Sequence, residues 1–346
     1  MLVLGLQVAG QLNASNGPLT SSEDMLLLEW LNPSVSAVDD HRGRLLGQYV
    51  PGTREWLKTE VEEWIGDVHD SAARVLWLNA PAGIGKSVMA ALVADQLQRE
   101  NLLGAAFFCK HDDLRLKLAQ SLVTTVAYSL SKWCPFIGRF LLTLRTAENA
   151  VDFRANSSQL FKQLVVDPLN EIASIFPPKK PIVIIVDALD ECGEMNSRGP
   201  MLRIFAAEFK KLPGFVRVLV TSRREPDIVD AFTASNLPQR IILPSDSDNE
   251  RDATIVAETR LKEMGVIDAS LRSSISRRLL NKSKGLFVWL TMALGSLKGH
   301  EITLERVDNL PQGLDEIYAS VFAKFFGRRT DPILTLHMQL KFPWNN

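Results

Sequence analysis

Cysteine is scarce in this chain, with three in 346 residues at positions 109, 134 and 192 and no C-x-x-C pair. Such spacing excludes a disulfide framework and a recognisable zinc site, and it suits a reducing compartment. An excess of one charge is also missing. The 39 lysines and arginines stand against 40 aspartates and glutamates, a net charge of −1 that offers no field to gather nucleic acid or an anionic membrane. No apolar run reaches the roughly 18 residues of a membrane-spanning helix. The opening "MLVLGLQVAGQL" is apolar but short, and the first basic residue is Arg42, so the charged start of a signal peptide is lacking. Internal repeats and low-complexity tracts are absent too. These absences point to a cytoplasmic globular protein.

What is present has an ordinary balance, 46% hydrophobic and 23% charged residues, over a length that suits about two domains. Residues 1–48 hold "NASNGPLTSS" and "NPSVSAVDDHRGR", rich in turn formers, around one short helical candidate, "EDMLLLEWL". They read as a loosely structured segment. In "TREWLKTEVEEWI" the residues Leu57, Val61, Trp64 and Ile65 recur at helical spacing behind Thr53 as N-cap. Apolar strands follow at 74–79, 104–109, 181–187, 216–222 and 240–244. Helical stretches at 87–99, 114–132, 157–175 and 201–212 separate them. Strands without polar alternation, spaced by helices, predict a parallel sheet covered on both faces. After Ser247 the pattern is helical to about residue 326. The expected fold is therefore α/β, a three-layer α/β/α domain over 49–247, then a helical subdomain over 248–326 and a tail over 327–346.

Three segments carry chemistry. "NAPAGIGKSVMAAL" (79–92) nearly matches the phosphate-loop pattern G-x-x-x-x-G-K-[ST], with Ala80 in place of the first glycine. A strand feeding a tight loop into a helix aims free N–H groups and the positive helix end at one point, where phosphate oxygens fit. Gly83 and Gly85 allow close approach or positive φ, Lys86 neutralises phosphate, and the Ser87 hydroxyl suits Mg²⁺. "IVIIVDALDECGE" is an apolar strand ending in Asp187, with Asp190 and Glu191 just beyond. A carboxylate at that strand end is where a P-loop NTPase holds Mg²⁺, and the two further acids can orient an attacking water. "VLVTSRREPDI" ends its strand at Thr221-Ser222 and then presents Arg223, a guanidinium able to sense γ-phosphate or to pair with the nearby acids. Arg224 follows directly as the alternative contact. His111 with Asp112 and Asp113 reads as surface, since a metal needs three or four convergent ligands. Trp56, Trp64, Trp77 and Trp289 read as core.

In order and wording these segments resemble NACHT-type NTPases of the STAND class, the signalling P-loop ATPases or GTPases of fungal and animal NOD-like receptors. "IIVDALDE" matches the family's Mg²⁺ strand, and "VPGTREWLKTEVEEWI" resembles the Gly-Thr-Arg lead-in of fungal members. "SKGLFVWL" (283–290) and "LPQGLDEIYASVF" (310–322) resemble its helical region, so the likeness runs from Tyr49 to Phe322. The family's loop tolerates alanine at the position of Ala80. The resemblance implies a P-loop NTPase fold that binds Mg²⁺ with ATP or GTP. It implies Gly83, Ile84, Gly85, Lys86, Ser87 and Val88 around the phosphates, with Ser87 and Asp187 on the metal. Asp190 or Glu191 would position water, Arg223 would act as sensor, and Thr53 and Arg54 would lie near the base. One departure is Gly285-Leu286-Phe287, where plant-type members carry Gly-Leu-Pro, so no proline contact to the base is expected. A winged helix, sensor repeats and an effector domain are not read in this sequence.

The implied function is a switch that is held closed by bound nucleotide, self-associates after exchange, and is reset by slow hydrolysis. A nucleotide-bound scaffold or regulatory fragment without turnover is the alternative. A small-molecule kinase would need an arginine-rich lid, which the helical stretch after 247 does not resemble.

Overall fold

The computed structural model describes residues 17–318, apart from 68, 70, 147–150, 154, 176–179, 194–197 and 315. The expected 327–346 tail and the end of "LPQGLDEIYASVF" lie outside the described residues. The chain divides into two compact units, one comprising residues up to Tyr49 with 55–82 and 86–244, the other 50–54, 83–85 and the chain from Ser245.

The first unit opens with α1 (Ser21–Leu31), over the expected helical candidate "EDMLLLEWL", and α2 (Val35–Leu46), where the sequence suggested loose structure. The turn formers there are helix ends. The Thr20 hydroxyl accepts from the Glu23 N–H while the Glu23 carboxylate accepts from the Thr20 N–H, a reciprocal capping box, and Asn32 closes α1 in the left-handed conformation. Leu27 and Leu31 from α1 and Ala37, Val38 and Leu45 from α2 are buried. Then come α3 (Glu55–Gly66), β1 (Val75–Asn79), α4 (Lys86–Arg99) and β2 (Leu103–Phe108). After a four-residue helical turn at Leu114–Lys117 come two longer helices, α5 (Ala119–Trp133) and α6 (Pro135–Thr146), the second unforeseen. Next α7 (Ser157–Phe161) passes through a π turn at Lys162–Val166 into α8 (Asp167–Ile175). The remaining strands and helices are β3 (Ile182–Asp187), the short α9 (Gly199–Arg203), continued by a π turn at Ile204–Glu208 and a 3-10 turn at Phe209–Lys211, β4 (Val216–Ser222), α10 (Pro226–Ser235) and β5 (Gln239–Ile242). Trp64 and Trp77 are buried as expected of core residues, whereas Trp56 is half-buried.

Among the described residues five strands form one parallel sheet, in the order β2-β3-β4-β1-β5, giving the α/β/α layering of a P-loop NTPase. Every residue of β1, β3 and β4 is buried, because their apolar runs are covered on both faces. Register sets the carboxyl edge. Asn79 pairs with Ser222, Val186 with Val220 and Phe108 with Asp187, so the ends of β1, β2, β3 and β4 stand side by side. In parallel sheets that edge is where ligands bind.

Register also overturns one expectation. Cys109, just beyond β2, and Cys192, just beyond β3, form a disulfide with Cα atoms 5.5 Å apart. They lie 83 residues apart in sequence, and only the pairing of β2 with β3 brings them together. Cys134 is a free thiol.

The second unit contains α11 (Asp246–Glu263), α12 (Ala269–Ser283), α13 (Phe287–Leu297) and α14 (Leu304–Asp308). Ser245 caps α11 and Asp268 caps α12 through their side chains. Ala257, Leu261, Ile275, Leu279, Trp289, Leu290 and Ala293 close its core. Among the described residues no helix is long and apolar enough to cross a membrane.

Candidate functional site

The sequence pattern places Ala80 at the end of β1, and the structure shows why alanine serves there. Ala80 is buried and its N–H donates to the Ser222 carbonyl, continuing the ladder to β4. The left-handed positions of the loop are Gly83 (φ +81°) and Gly85 (φ +90°). An added Cβ on Gly83 would lie 2.6 Å from Cγ1 of Val288.

In the first unit, Lys86 begins α4 and turns its ammonium back on the loop, donating to the carbonyls of Ala80 (2.8 Å) and Pro81 (3.0 Å). Burial lowers its pKa, Asp190 pulls the other way, and Arg223 adds to the lowering. Asp187 at the end of β3 is fully buried, and its Oδ1 accepts from the Thr221 hydroxyl. Thr221 in turn accepts from the N–H of Ala188, which sits in the left-handed region at φ +55°. Burial raises the Asp187 pKa to about 6, with the Thr221 and Ser87 hydroxyls opposing the rise.

Asp187 Oδ2 is buried and accepts no hydrogen bond of good geometry, although the Ser87 hydroxyl acts on the carboxylate. A carboxylate oxygen in that position is costly unless something cationic or protic meets it. The Ser87 hydroxyl with this oxygen gives the hard-oxygen donor pair that Mg²⁺ takes, its other ligands being phosphate and water. Among the described residues no three His, Cys, Asp or Glu side chains converge on a metal position, so a cation here depends on those added oxygens.

Beyond β3, Leu189–Glu191 form a single 3-10 turn. Asp190 faces Arg223, taking its backbone N–H on Oδ1 (3.1 Å) and lying 3.0 Å from its Nε through Oδ2. Of the two readings of Arg223, this geometry fits the ion-pair partner. Glu191 points elsewhere, with Oε2 3.4 Å from Nδ1 of His111. His111, read as a surface residue, thus meets a candidate catalytic acid. Arg198 braces the turn: it is buried, donates to the Asp190 carbonyl (3.1 Å), and pairs with Glu225 and Asp227. Nothing in its sequence neighbourhood marked it, because its partners lie 27 and 29 positions away.

In the second unit, Arg54 is buried and left-handed at φ +64°. It binds Asp252 and the Ile84 carbonyl and stacks on Phe287. The Thr53 hydroxyl donates to the Val50 carbonyl at 2.7 Å, in place of the helix-capping role read from sequence. The Gly83 carbonyl accepts from the Val288 N–H. Asp252 escaped notice because it lies on a helix whose own sequence explains it without a ligand, whereas Phe287 was marked only as the residue standing where plant-type members carry proline.

The family model described as Nephrocystin 3, N-terminal, matches residues 52–223. The vegetative incompatibility protein HET-E-1 of Podospora anserina is 22% identical over 282 residues, 76% of this chain and 20% of that protein. The chain thus spans about a fifth of the length of that curated relative. Among solved structures, a chain of Drosophila ORC bound to GC-rich DNA and Cdc6 superimposes with a TM-score of 0.39 and 10% identity, over 92% of this chain and 51% of that chain. Another, from Drosophila ORC bound to poly(dA/dT) DNA and Cdc6, gives 0.35 and 12% over 95% and 54%. Those superpositions are too loose to bear on function. The stretch covered by the family model runs from the Gly-Thr-Arg lead-in through the strand of Asp187 to Arg223, and together with the HET-E-1 likeness it supports a NACHT-type P-loop NTPase.

Proposed function

We propose that this chain is a nucleoside-triphosphate-binding signalling switch, which takes Mg-ATP or Mg-GTP and hydrolyses it slowly to control self-association or a partner's signalling. The observation that carries the reading is the buried Oδ2 of Asp187 at the carboxyl edge of the sheet, which accepts no hydrogen bond of good geometry. The N–H groups at the start of α4 would receive phosphate oxygens. Lys86 would exchange its two loop carbonyls for phosphate. Ser87 and Asp187 would hold Mg²⁺, whose charge would offset that building on the transferred phosphoryl group. Glu191 is the better acid for orienting water, since both Asp190 oxygens already face Arg223. In this reading Arg223 holds Asp190 in place until γ-phosphate competes for its guanidinium.

The test is the nucleotide carried by the purified protein and the phosphate it releases. Wild type should retain a purine nucleotide with Mg²⁺. Lys86→Ala should lose about tenfold to a hundredfold in affinity, on the ~1.5–3 kcal/mol of hydrogen bonds to a charged group. Glu191→Gln should keep nucleotide and lose phosphate release. Wild type that binds no nucleotide sinks the proposal, and wild type that binds without releasing phosphate leaves the non-hydrolysing scaffold.

A further inference from the structure

Arg54 is a non-glycine residue held at φ +64°, and such conformations persist where the surroundings enforce them. Its own N–H and its Nη1 both donate to one oxygen of Asp252, at 3.0 and 3.1 Å, and both side chains are 4% exposed. Its Nη2 donates to the Ile84 carbonyl at 3.0 Å. Its guanidinium carbon lies 4.1 Å from the centroid of the Phe287 ring. The preceding carbonyl of the loop, that of Gly83, is held by the Val288 N–H at 3.1 Å. Asn249 fixes the approach to α13 by donating to the Gly285 carbonyl at 2.9 Å.

Two successive loop carbonyls are therefore tied down. In a trans peptide the N–H points opposite to the C=O, so fixing the carbonyls of Gly83 and Ile84 fixes the N–H groups of Ile84 and Gly85. Successive N–H groups turned to one side are what a polyphosphate needs. Space is limited as well, since a Cβ added to Gly85 would lie 3.1 Å from Arg54 Nη2.

We propose that Arg54, anchored by Asp252, is a positioning residue that orients the Ile84–Gly85 peptide toward polyphosphate, in place of the base contact implied by the family resemblance. This rests on the nucleotide-binding reading above. A base contact and a loop-positioning role differ in one respect: only the second extends to a ligand that has no base.

Equilibrium binding of Mg-nucleoside triphosphate and of Mg-tripolyphosphate is measured on wild type, Arg54→Met, Arg54→Lys and Asp252→Asn, well below each protein's melting temperature. Arg54→Met should weaken both ligands by the same factor, about tenfold, the order expected for a charge-assisted hydrogen bond. Arg54→Lys should regain part of the loss. Asp252→Asn, which keeps Arg54 but frees it, should weaken both equally and by less. Loss confined to the nucleotide assigns Arg54 to the base and overturns the proposal, as does unchanged affinity in a folded variant. If Arg54→Met fails to fold, Asp252→Asn gives the same comparison; failure of both assigns the pair to stability alone and overturns it too. Wild type that binds neither ligand removes the nucleotide reading itself, an outcome distinct from wild type that binds both and variants that do not differ.

Discussion

Asp187 is buried and acidic, and its charge state bears on stability and, under the proposed function, on nucleotide binding. Its pKa of about 6 in the folded protein lies above the ordinary 3.8. Between those values the folded protein keeps a proton that the unfolded chain has released. The stability contributed by this group is therefore full below the unfolded value and is lost as pH rises through about 6. By linkage, a shift of this size corresponds to a few kcal/mol, on the order of 3. Asp187→Asn, without nucleotide, should thus be more stable than wild type at pH about 7.5, with the gap closing toward pH about 4. Urea denaturation across that range checks it. Mg-nucleotide binding should show the opposite dependence, since the metal needs the carboxylate. Wild-type affinity should fall as pH drops through about 6, and the variant should show no such step.

The elements impose requirements that no single residue shows. The loop passes through Gly83 in a left-handed conformation against Val288 on α13, with 2.6 Å between a would-be Cβ and Val288 Cγ1. Gly83→Ala carries a backbone penalty of about 1–2 kcal/mol, and the steric overlap adds to it. Pairing it with Val288→Ala should recover the steric part only, so a double-mutant cycle on nucleotide affinity and melting should show coupling between the two sites. The disulfide acts at the same scale by fastening the ends of β2 and β3. It closes a loop with a sequence separation of 83, and a crosslink of that kind is worth about 2–4 kcal/mol. The Cys109→Ser, Cys192→Ser double variant should be less stable than oxidised wild type by about that energy and so melt at a lower temperature. A reductant should lower the melting temperature of wild type and leave the variant unchanged. The cysteines looked unrelated in sequence because strand neighbours in a parallel sheet are separated by long crossovers.

For the whole molecule, the proposed switch makes a prediction about mass. Size-exclusion chromatography with light scattering should give a larger species with a non-hydrolysable triphosphate and Mg²⁺ than with diphosphate, and Lys86→Ala should show one mass under both conditions. An unchanged wild-type mass counts against control of self-association. By itself, the sequence determined the layered α/β fold, because apolar unalternating strands such as "IVIIVD" are stable only when both faces are covered. It also determined where the candidate residues stand, Gly83, Gly85, Lys86 and Ser87 at a strand-to-helix turn and Asp187 at a strand end, since glycine placement and apolar runs mark such turns and ends locally. Only the tertiary structure decided which acid faces Arg223, that His111 meets Glu191, that Cys109 reaches Cys192, and that Arg54 holds Ile84 through Asp252. Those pairings join residues from 30 to 198 positions apart. Local patterning carries no information over such separations, whereas strand register and helix packing bring each pair into contact.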